Sequence, residues 1–137
     1  MLDKILLAYD ESSHAQRALE VAAMLVDGRG EIRVLHVREM VAGKGRPLPR
    51  REDHEEANEV IDGALAALKA KGAKASGVVR DAPSGRVASE IVDEADAFGA
   101  DLIVVGTRGL TDLAGIVIGS TSHKVLHLAK MNVLVVP

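Results

Sequence analysis

From Asp101 to Ala129 the chain reads DLIVVGTRGLTDLAGIVIGSTSHKVLHLA. The apolar run at 101–106 is rich in β-branched residues and predicts a buried strand. The run at 119–130 opens with small hydroxyl residues and predicts a helix. Glycines occupy positions 106, 109, 115 and 119 of the connection between them. A strand followed by a glycine-rich connection and a helix indicates one unit of an α/β fold.

The same alternation extends over the whole chain. Strands are predicted at 4–9, 31–37, 74–80, 101–106 and 132–137. Helices are predicted from Ser12 or Ser13 to Gly28 or Gly30, and at 53–72, 83–99 and 119–130, with a long loop at 38–53. This order predicts one α/β domain over residues 1–137, with a parallel sheet between two layers of helices.

The parallel sheet also predicts where a ligand would bind. Such sheets bind ligands beyond the carboxyl ends of the strands, at the point where the strand order reverses. The candidate positions are therefore Ala8 to Asp10, Val37 to Arg38, and the residues from Gly106 onward.

Composition narrows the class of protein. Of 137 residues, 47% are apolar, with one Phe, one Tyr and no Trp, so aliphatic residues and Ala must fill the core. The net charge of −3 argues against a nucleic-acid-binding protein. The absence of Cys excludes disulfides and Cys-based metal sites. No run approaches the roughly 18 apolar residues of a membrane helix, and none resembles a signal peptide, so we expect a cytoplasmic protein without membrane contact.

The glycine segment is chemically suited to bind a phosphate. A helix start offers unpaired backbone N–H groups and the positive end of the helix dipole, and glycine lets a ligand approach them closely. Arg108 could add a charge-assisted contact. Hydroxyl groups come from Ser120, Thr121 and Ser122. A purely structural interpretation remains open, in which Gly106 ends a strand, Gly109 makes a turn and Ser120 caps a helix.

The spacing Gly106-x2-Gly109-x9-Gly119-Ser120 resembles the G-x2-G-x9-G-[ST] signature of ATP-binding universal stress proteins. The opening KILLAYDESSHAQRAL and the closing NVLVVP are also similar to that family, so the resemblance covers the whole chain. It implies a Rossmann-like fold of the adenine nucleotide alpha hydrolase type. In that fold a five-stranded parallel sheet, in the order 3-2-1-4-5, is sandwiched by four helices.

The resemblance further implies an ATP site, with Mg²⁺ as a companion ion. Adenine would lie near Ala8 and the backbone of Val37, and Asp10 would contact the ribose. Asp10 can also serve as a helix cap, and both roles can hold together. The phosphates would rest on Gly106, Arg108, Gly109, Gly119, Ser120, Thr121 and Ser122. Thr121 departs from the family pattern, in which an aliphatic residue is more usual.

By this resemblance the chain is a nucleotide-dependent regulatory or sensing protein of the stress response. No nucleophile–base pair accompanies the phosphate site, so we expect binding, with at most slow ATP hydrolysis or autophosphorylation. Cyclic AMP or AMP is an alternative ligand, and a nucleotide-free structural dimer is an alternative function. A receiver-like domain would instead use Asp10, Glu11 and Asp81 around Mg²⁺, but it gives the glycine segment no role.

The C-terminal run NVLVVP predicts an apolar strand at the edge of the sheet. An exposed edge of this type invites pairing with another chain. A two-fold partner would cover it, and the family resemblance implies such pairing. We therefore expect a homodimer through residues 132–136.

Other polar residues are weaker candidates. His123 and His127 have the i, i+4 spacing of a metal-binding pair, but no third ligand is evident, so we expect solvent-facing imidazoles and no metal. His36 lies within a strand and is predicted to be a hydrogen-bonded core residue. The loop at 39–52 is either solvated or a lid over the phosphates. Its basic residues are Lys44, Arg46, Arg50 and Arg51.

Overall fold

The computed structural model describes residues 2–40, 51–83, 85–107 and 119–137, and for residues 51–53 it describes the backbone alone. Strands and helices alternate throughout these ranges. The strands are β1 (Lys4–Ala8), β2 (Glu31–Met40), β3 (Lys74–Pro83), β4 (Leu102–Gly106) and β5 (Asn132–Val136). The helices are α1 (Ser13–Val26), α2 (Arg51–Ala70), α3 (Val87–Phe98) and α4 (Ser120–Leu128). None of the helices described is long and apolar enough to cross a membrane.

The five strands form one parallel sheet in the order β3-β2-β1-β4-β5, which confirms the expected topology. β1 lies at the centre, where Ala8 is the partner of Leu35 in β2 on one side and of Val105 in β4 on the other. From β1 the chain adds β2 and β3 on one side of the sheet, and then crosses over to add β4 and β5 on the other side. The carboxyl ends of β1 and β4 therefore mark the point where the strand order reverses, which is where such sheets bind ligands.

The core lies on both faces of the sheet, because side chains of a strand alternate between its faces. Ile5 and Leu7 of β1 pack with α1 and α2, whereas Leu6 packs with α3 and α4. All three side chains are fully buried, and each contributes roughly 1.5–3 kcal/mol by leaving water. This two-sided burial explains why β1 has a continuous apolar sequence.

Helix α1 begins directly after β1 and forms one wall of the site. Its N-cap is Ser12, whose Oγ accepts the N–H of Ala15 at 3.1 Å. The helix ends at Asp27, which has a left-handed conformation with φ of 46°, and Gly28 follows. The predicted start of this helix is confirmed, and of the two predicted ends the structure agrees with Gly28 and not with Gly30.

The loop predicted at 38–53 is shorter than expected. β2 continues through Met40, and β3 extends to Pro83 beyond its predicted end. Arg38 of β2 forms a two-point ion pair with Asp81 of β3, through Nε–Oδ1 and Nη2–Oδ2 contacts of 2.7 Å each. This cross-strand pair neutralises the charges of two residues that, considered singly, are typical of loops.

Helix α3 begins at Val87 instead of 83, because β3 occupies the chain as far as Pro83. Its Glu94 is a charged residue on the buried face, with 2% of its surface exposed. The Glu94 carboxylate accepts Nη1 of Arg33 at 2.9 Å and Nε of Arg80 at 2.7 Å. This network attaches α3 to β2 and β3, and thereby fixes the helix that forms the far wall of the site.

Candidate functional site

A cleft opens at the carboxyl edge of the sheet, between the ends of β1, β2 and β4 and the helices α3 and α4. The empty space of the cleft, including the part open to solvent, is about 550 Å³. It lies where the strand order reverses, as the topology requires. The cleft is therefore the leading candidate for a binding site.

Seven of the ten residues expected at a nucleotide site line this one cleft. They are Ala8, Asp10, Val37, Gly106, Gly119, Thr121 and Ser122. Ser120 is the first residue of α4; it is exposed and lies beside the cleft without lining it. Arg108 and Gly109 lie outside the described residues. So do the basic residues Lys44, Arg46 and Arg50 of the expected lid and the side chain of Arg51.

Apolar side chains form the inner wall of the cleft. Leu35 and Val37 come from one face of β2, and Val87 and Ile91 come from successive turns of α3. The sequence analysis did not connect Val87 or Ile91 with the site. Their i, i+4 spacing, near a helix start that faces the sheet's carboxyl edge, was the signal that could have done so.

Asp10 is held in place by a tight turn between β1 and α1. Its Oδ1 accepts the backbone N–H of Ser12 at 3.0 Å, and Glu11 between them has a φ of 72°. Because the N-cap of α1 is Ser12, Asp10 acts on the turn that precedes the helix. The carboxylate lines the cleft in this position, so its turn role and a ligand role are compatible.

Tyr9 also lines the cleft; it lies within the predicted stretch from Ala8 to Asp10, although no role was assigned to it. Burial raises the pKa of Tyr9 above its ordinary value, and the nearby carboxylates of Glu11 and Asp10 raise it further. Both effects favour the neutral phenol. Tyr9 is therefore unsuited to act as a general base at neutral pH.

The start of α4 presents backbone N–H groups to the cleft. The N-cap is Gly119, which has no side chain to accept them. The first helical hydrogen bond runs from the N–H of His123 to the carbonyl of Gly119 at 3.0 Å. The N–H groups of residues 120–122 precede that bond, and within the part of the chain that the structure describes no backbone carbonyl accepts them, so we expect them to suit an anionic ligand. Ser120 is consequently not the cap that the structural interpretation assigned to it.

Gly106 has a packing role in addition to its place in the cleft. A Cβ atom at this position would lie 2.8 Å from the backbone carbonyl carbon of His14 in α1. Such a contact is too short for a real Cβ, so only glycine lets the end of β4 approach α1 this closely. The structural interpretation of Gly106 and the binding interpretation are thus both supported by its position.

The remaining polar candidates lie away from the cleft lining. The Nδ1 atom of His36 lies 2.8 Å from the carbonyl oxygen of Tyr9, which confirms a hydrogen-bonded histidine. His123 and His127 are exposed, with ring centroids 4.7 Å apart in an edge-to-face arrangement. Among the residues described, no three His, Asp or Glu side chains form a group that could hold a metal ion. The Asp81 of the receiver alternative is engaged with Arg38.

Comparison with known proteins agrees with the fold. The sequence model of the universal stress protein family matches residues 1–137. Universal stress protein YxiE of Bacillus subtilis is 33% identical over 150 aligned residues, and a universal stress protein of Thermus aquaticus is 37% identical over 146, each alignment covering 99% of both chains. A solved universal stress protein of Archaeoglobus fulgidus, in complex with dAMP, is 27% identical with a TM-score of 0.77, covering 100% of this chain and 98% of its own.

Proposed function

The chain belongs to the universal stress protein family, and on that premise we propose that it binds an adenine nucleotide, with ATP as the ligand, in the cleft at the carboxyl edge of its sheet. The bound nucleotide would make it a regulatory or sensing protein of the stress response. The relative from Archaeoglobus fulgidus that was solved with dAMP supports an adenine nucleotide as the ligand class.

The observation that carries this proposal is the distribution of polar groups around the cleft. An apolar slot occupies the middle, a carboxylate lies at the end of β1, and helix N–H groups lie at the start of α4. A nucleotide has the complementary order of parts: a flat base, a sugar with hydroxyl groups and an anionic tail. A ligand lacking any of these parts would leave one end of the cleft unused.

The base would lie between Ala8 and the apolar wall made by Val37, Val87 and Ile91. Aliphatic side chains on both sides of a planar ring exclude water and gain about 25 cal/mol per Å² of apolar surface buried. The edge of the ring would be recognised by backbone N–H and C=O groups at the end of β2. This arrangement requires the position of Val37 rather than a special side chain.

The phosphates would bind at the start of α4. Its N–H groups and helix dipole favour an anion, and Ser120, Thr121 and Arg108 would add donors. Ser122 would contribute its N–H, because its hydroxyl proton is already donated to the carbonyl of Gly106. Asp10 would accept the ribose hydroxyls, since its carboxylate is already oriented by the turn.

We propose binding rather than catalysis as the main activity. The phenol of Tyr9 is held neutral, and Asp10 lies at the sugar end, where it is too far from the terminal phosphate to activate water. Hydrolysis of ATP, or transfer of its phosphate to Ser120 or Thr121, would at most be slow. The protein would report nucleotide levels by occupancy.

Isothermal titration tests the proposal with ATP, ADP, AMP and cyclic AMP, and with GTP as the control for base recognition. Asp10→Asn keeps the oxygen that accepts the Ser12 N–H but removes the charge, so it separates the ribose contact from the turn. We expect this variant to bind ATP about tenfold more weakly than the wild type does. For 2′-deoxy-ATP, which has one hydroxyl fewer, the loss of affinity caused by the substitution should be smaller. Wild-type protein that binds none of these nucleotides at millimolar concentration would contradict the proposal.

We also propose that the protein is a homodimer paired through β5. β5 is at the edge of the sheet beside β4, and its central residues Val133, Leu134 and Val135 are only partly buried. Apolar side chains are exposed on α1 and α4 as well, with Met24 at 71% and Leu128 at 48%. A two-fold partner at this edge would complete the pairing of β5 and shield apolar surface.

Sedimentation equilibrium at micromolar concentration tests the dimer. We expect the wild type to have twice the mass of one chain. The Val135→Lys variant, which places a charge on the proposed interface, should have the mass of a single chain. A wild-type monomer under these conditions would rule out the interface. The nucleotide titration is independent of this result, so each proposal can fail alone.

A further inference from the structure

His14, in the first turn of α1, joins three elements at one side of the cleft. Its Nδ1 atom lies 3.0 Å from Nη2 of Arg17 and 3.3 Å from Oγ1 of Thr107, the residue after β4. Thr107 is buried, and its N–H donates to the carbonyl of Val136 in β5 at 2.9 Å. Arg17 in turn donates its Nε–H to the carbonyl of Pro137 at 2.6 Å. The end of β5 is therefore tied to both α1 and β4 through this cluster.

The chemistry of the cluster assigns a role to Nδ1 of His14. A guanidinium group can only donate hydrogen bonds, so Nδ1 is the acceptor for Arg17. A side chain that offers an acceptor at the Nδ1 position can replace it, and an apolar side chain cannot.

The cluster adjoins residues that line the cleft. His14 follows Asp10 and Ser12 along the chain, and the backbone of His14 is in close contact with Gly106. The same Gly106 accepts the hydroxyl of Ser122 in α4. A shift of the α1 start relative to the β4 end would therefore change the distance between the sugar end and the phosphate end of the cleft.

We propose that His14 is a positioning residue of the nucleotide cleft, and that its bonds to Thr107 and Arg17 couple the end of β5 to the spacing between Asp10 and Gly106. This inference rests on the proposed nucleotide-binding function. Because β5 is also the proposed dimer edge, the cluster provides a physical route by which pairing at that edge alters nucleotide affinity.

The test uses His14→Leu, His14→Asn and Thr107→Val, together with the His14→Leu/Thr107→Val double variant. ATP affinity is measured by isothermal titration, and stability by urea unfolding without nucleotide. We expect about fivefold weaker binding for His14→Leu, wild-type affinity within about twofold for His14→Asn, and a double variant no weaker than His14→Leu. Asn rescues because its side-chain oxygen can lie where Nδ1 lies.

A stability control separates positioning from general loosening of the fold. Val60→Ala, on α2, removes part of a contact with the core that α1 and α2 share, so it lowers stability without changing any residue of the cluster. We expect it to keep the wild-type ATP affinity. Equal affinity of His14→Leu and wild type, or equal loss in Val60→Ala, would overturn the inference while leaving nucleotide binding intact. A wild type that binds no nucleotide would overturn both the inference about His14 and the proposed nucleotide-binding function. The wild-type titration alone distinguishes this outcome from a failure of the inference about His14.

Discussion

Ser122 donates its hydroxyl proton to the carbonyl oxygen of Gly106 across 3.1 Å, and its side chain is almost fully buried in doing so. This bond attaches the first turn of α4 to the end of β4 without using any backbone N–H of the helix start. The hydroxyl of Ser122 therefore builds the cleft, while the N–H groups of that turn are left for a ligand. On the proposed function, the structural and binding roles of Ser122 are divided between its hydroxyl and its backbone N–H.

Replacing Ser122 by Ala should lower the free energy of unfolding by about 1 kcal/mol, because the half-buried carbonyl of Gly106 loses its donor. Ser120→Ala is the matched control, since Ser120 lies two residues before Ser122 and is exposed. This substitution should change the free energy of unfolding by less than about 0.5 kcal/mol. Urea unfolding of both variants measures the difference. Equal stability of the two variants would show that the Ser122–Gly106 bond contributes nothing.

Gly106→Ala should destabilise the protein by about 1–3 kcal/mol, because the new methyl group would overlap the backbone of His14. Gly63→Ala is the control, since a Cβ atom at Gly63 meets nothing within 4 Å and the position is exposed on α2. That substitution should be neutral or should stabilise by up to about 1 kcal/mol, through helix propensity. Thermal unfolding of the pair tests the close approach of β4 to α1. Two variants of similar stability would contradict it.

Glu94→Ala should destabilise by about 2–3 kcal/mol, because it leaves the guanidinium groups of Arg33 and Arg80 without their shared carboxylate. The loss is smaller than for a fully buried pair, since 32% of the Arg33 side chain and 44% of the Arg80 side chain remain exposed. The carboxylate of Glu90 lies 4.0 Å from Arg80. Replacing Glu90 by Gln should therefore lower the free energy of unfolding by less than about 0.5 kcal/mol. Equal losses in urea unfolding would mean that Glu94 does not anchor α3.

The acid stability of the fold should depend on Asp101. Its carboxylate accepts the N–H groups of Asp3 and Lys4 at 2.9 Å each, and these bonds lower the pKa of Asp101 below its ordinary value. The carboxylate form therefore stabilises the fold at all pH values above about 3.9, and this contribution is lost as the pH falls through the lowered pKa. Asp101→Asn should be less stable than wild type at pH 7, and the gap should close below about pH 4. A gap independent of pH between 7 and 2.5 would contradict this assignment.

Much of the fold follows from local sequence patterns. β1 and β4 are continuous apolar runs because both of their faces are covered, and Ser12 caps α1 through its own side chain. Glycine spacing in the segment from Gly106 to Gly119 led to the family and, through it, to half of the residues that line the cleft. These features depend on neighbours within a few residues along the chain, which a sequence displays directly.

The features that the sequence did not reveal depend on distant partners. The extension of β2 and β3 rests on Arg38 and Asp81, which are 43 residues apart, and each looks like a loop residue when considered alone. Glu94 faces inward only because Arg33 and Arg80 meet it there. The packing requirement at Gly106 becomes visible only when α1 is placed against β4. In each case the deciding partner is set by the topology of the sheet.

The most direct measurement of the central claim is a crystal structure determined after soaking with millimolar Mg·ATP, in a lattice that leaves the carboxyl edge of the sheet open. We predict density for the base between Ala8 and Ile91, for the ribose within hydrogen-bond distance of Asp10, and for phosphate at the N–H groups that follow Gly119. Density for solvent alone throughout an unobstructed cleft would contradict the proposed function.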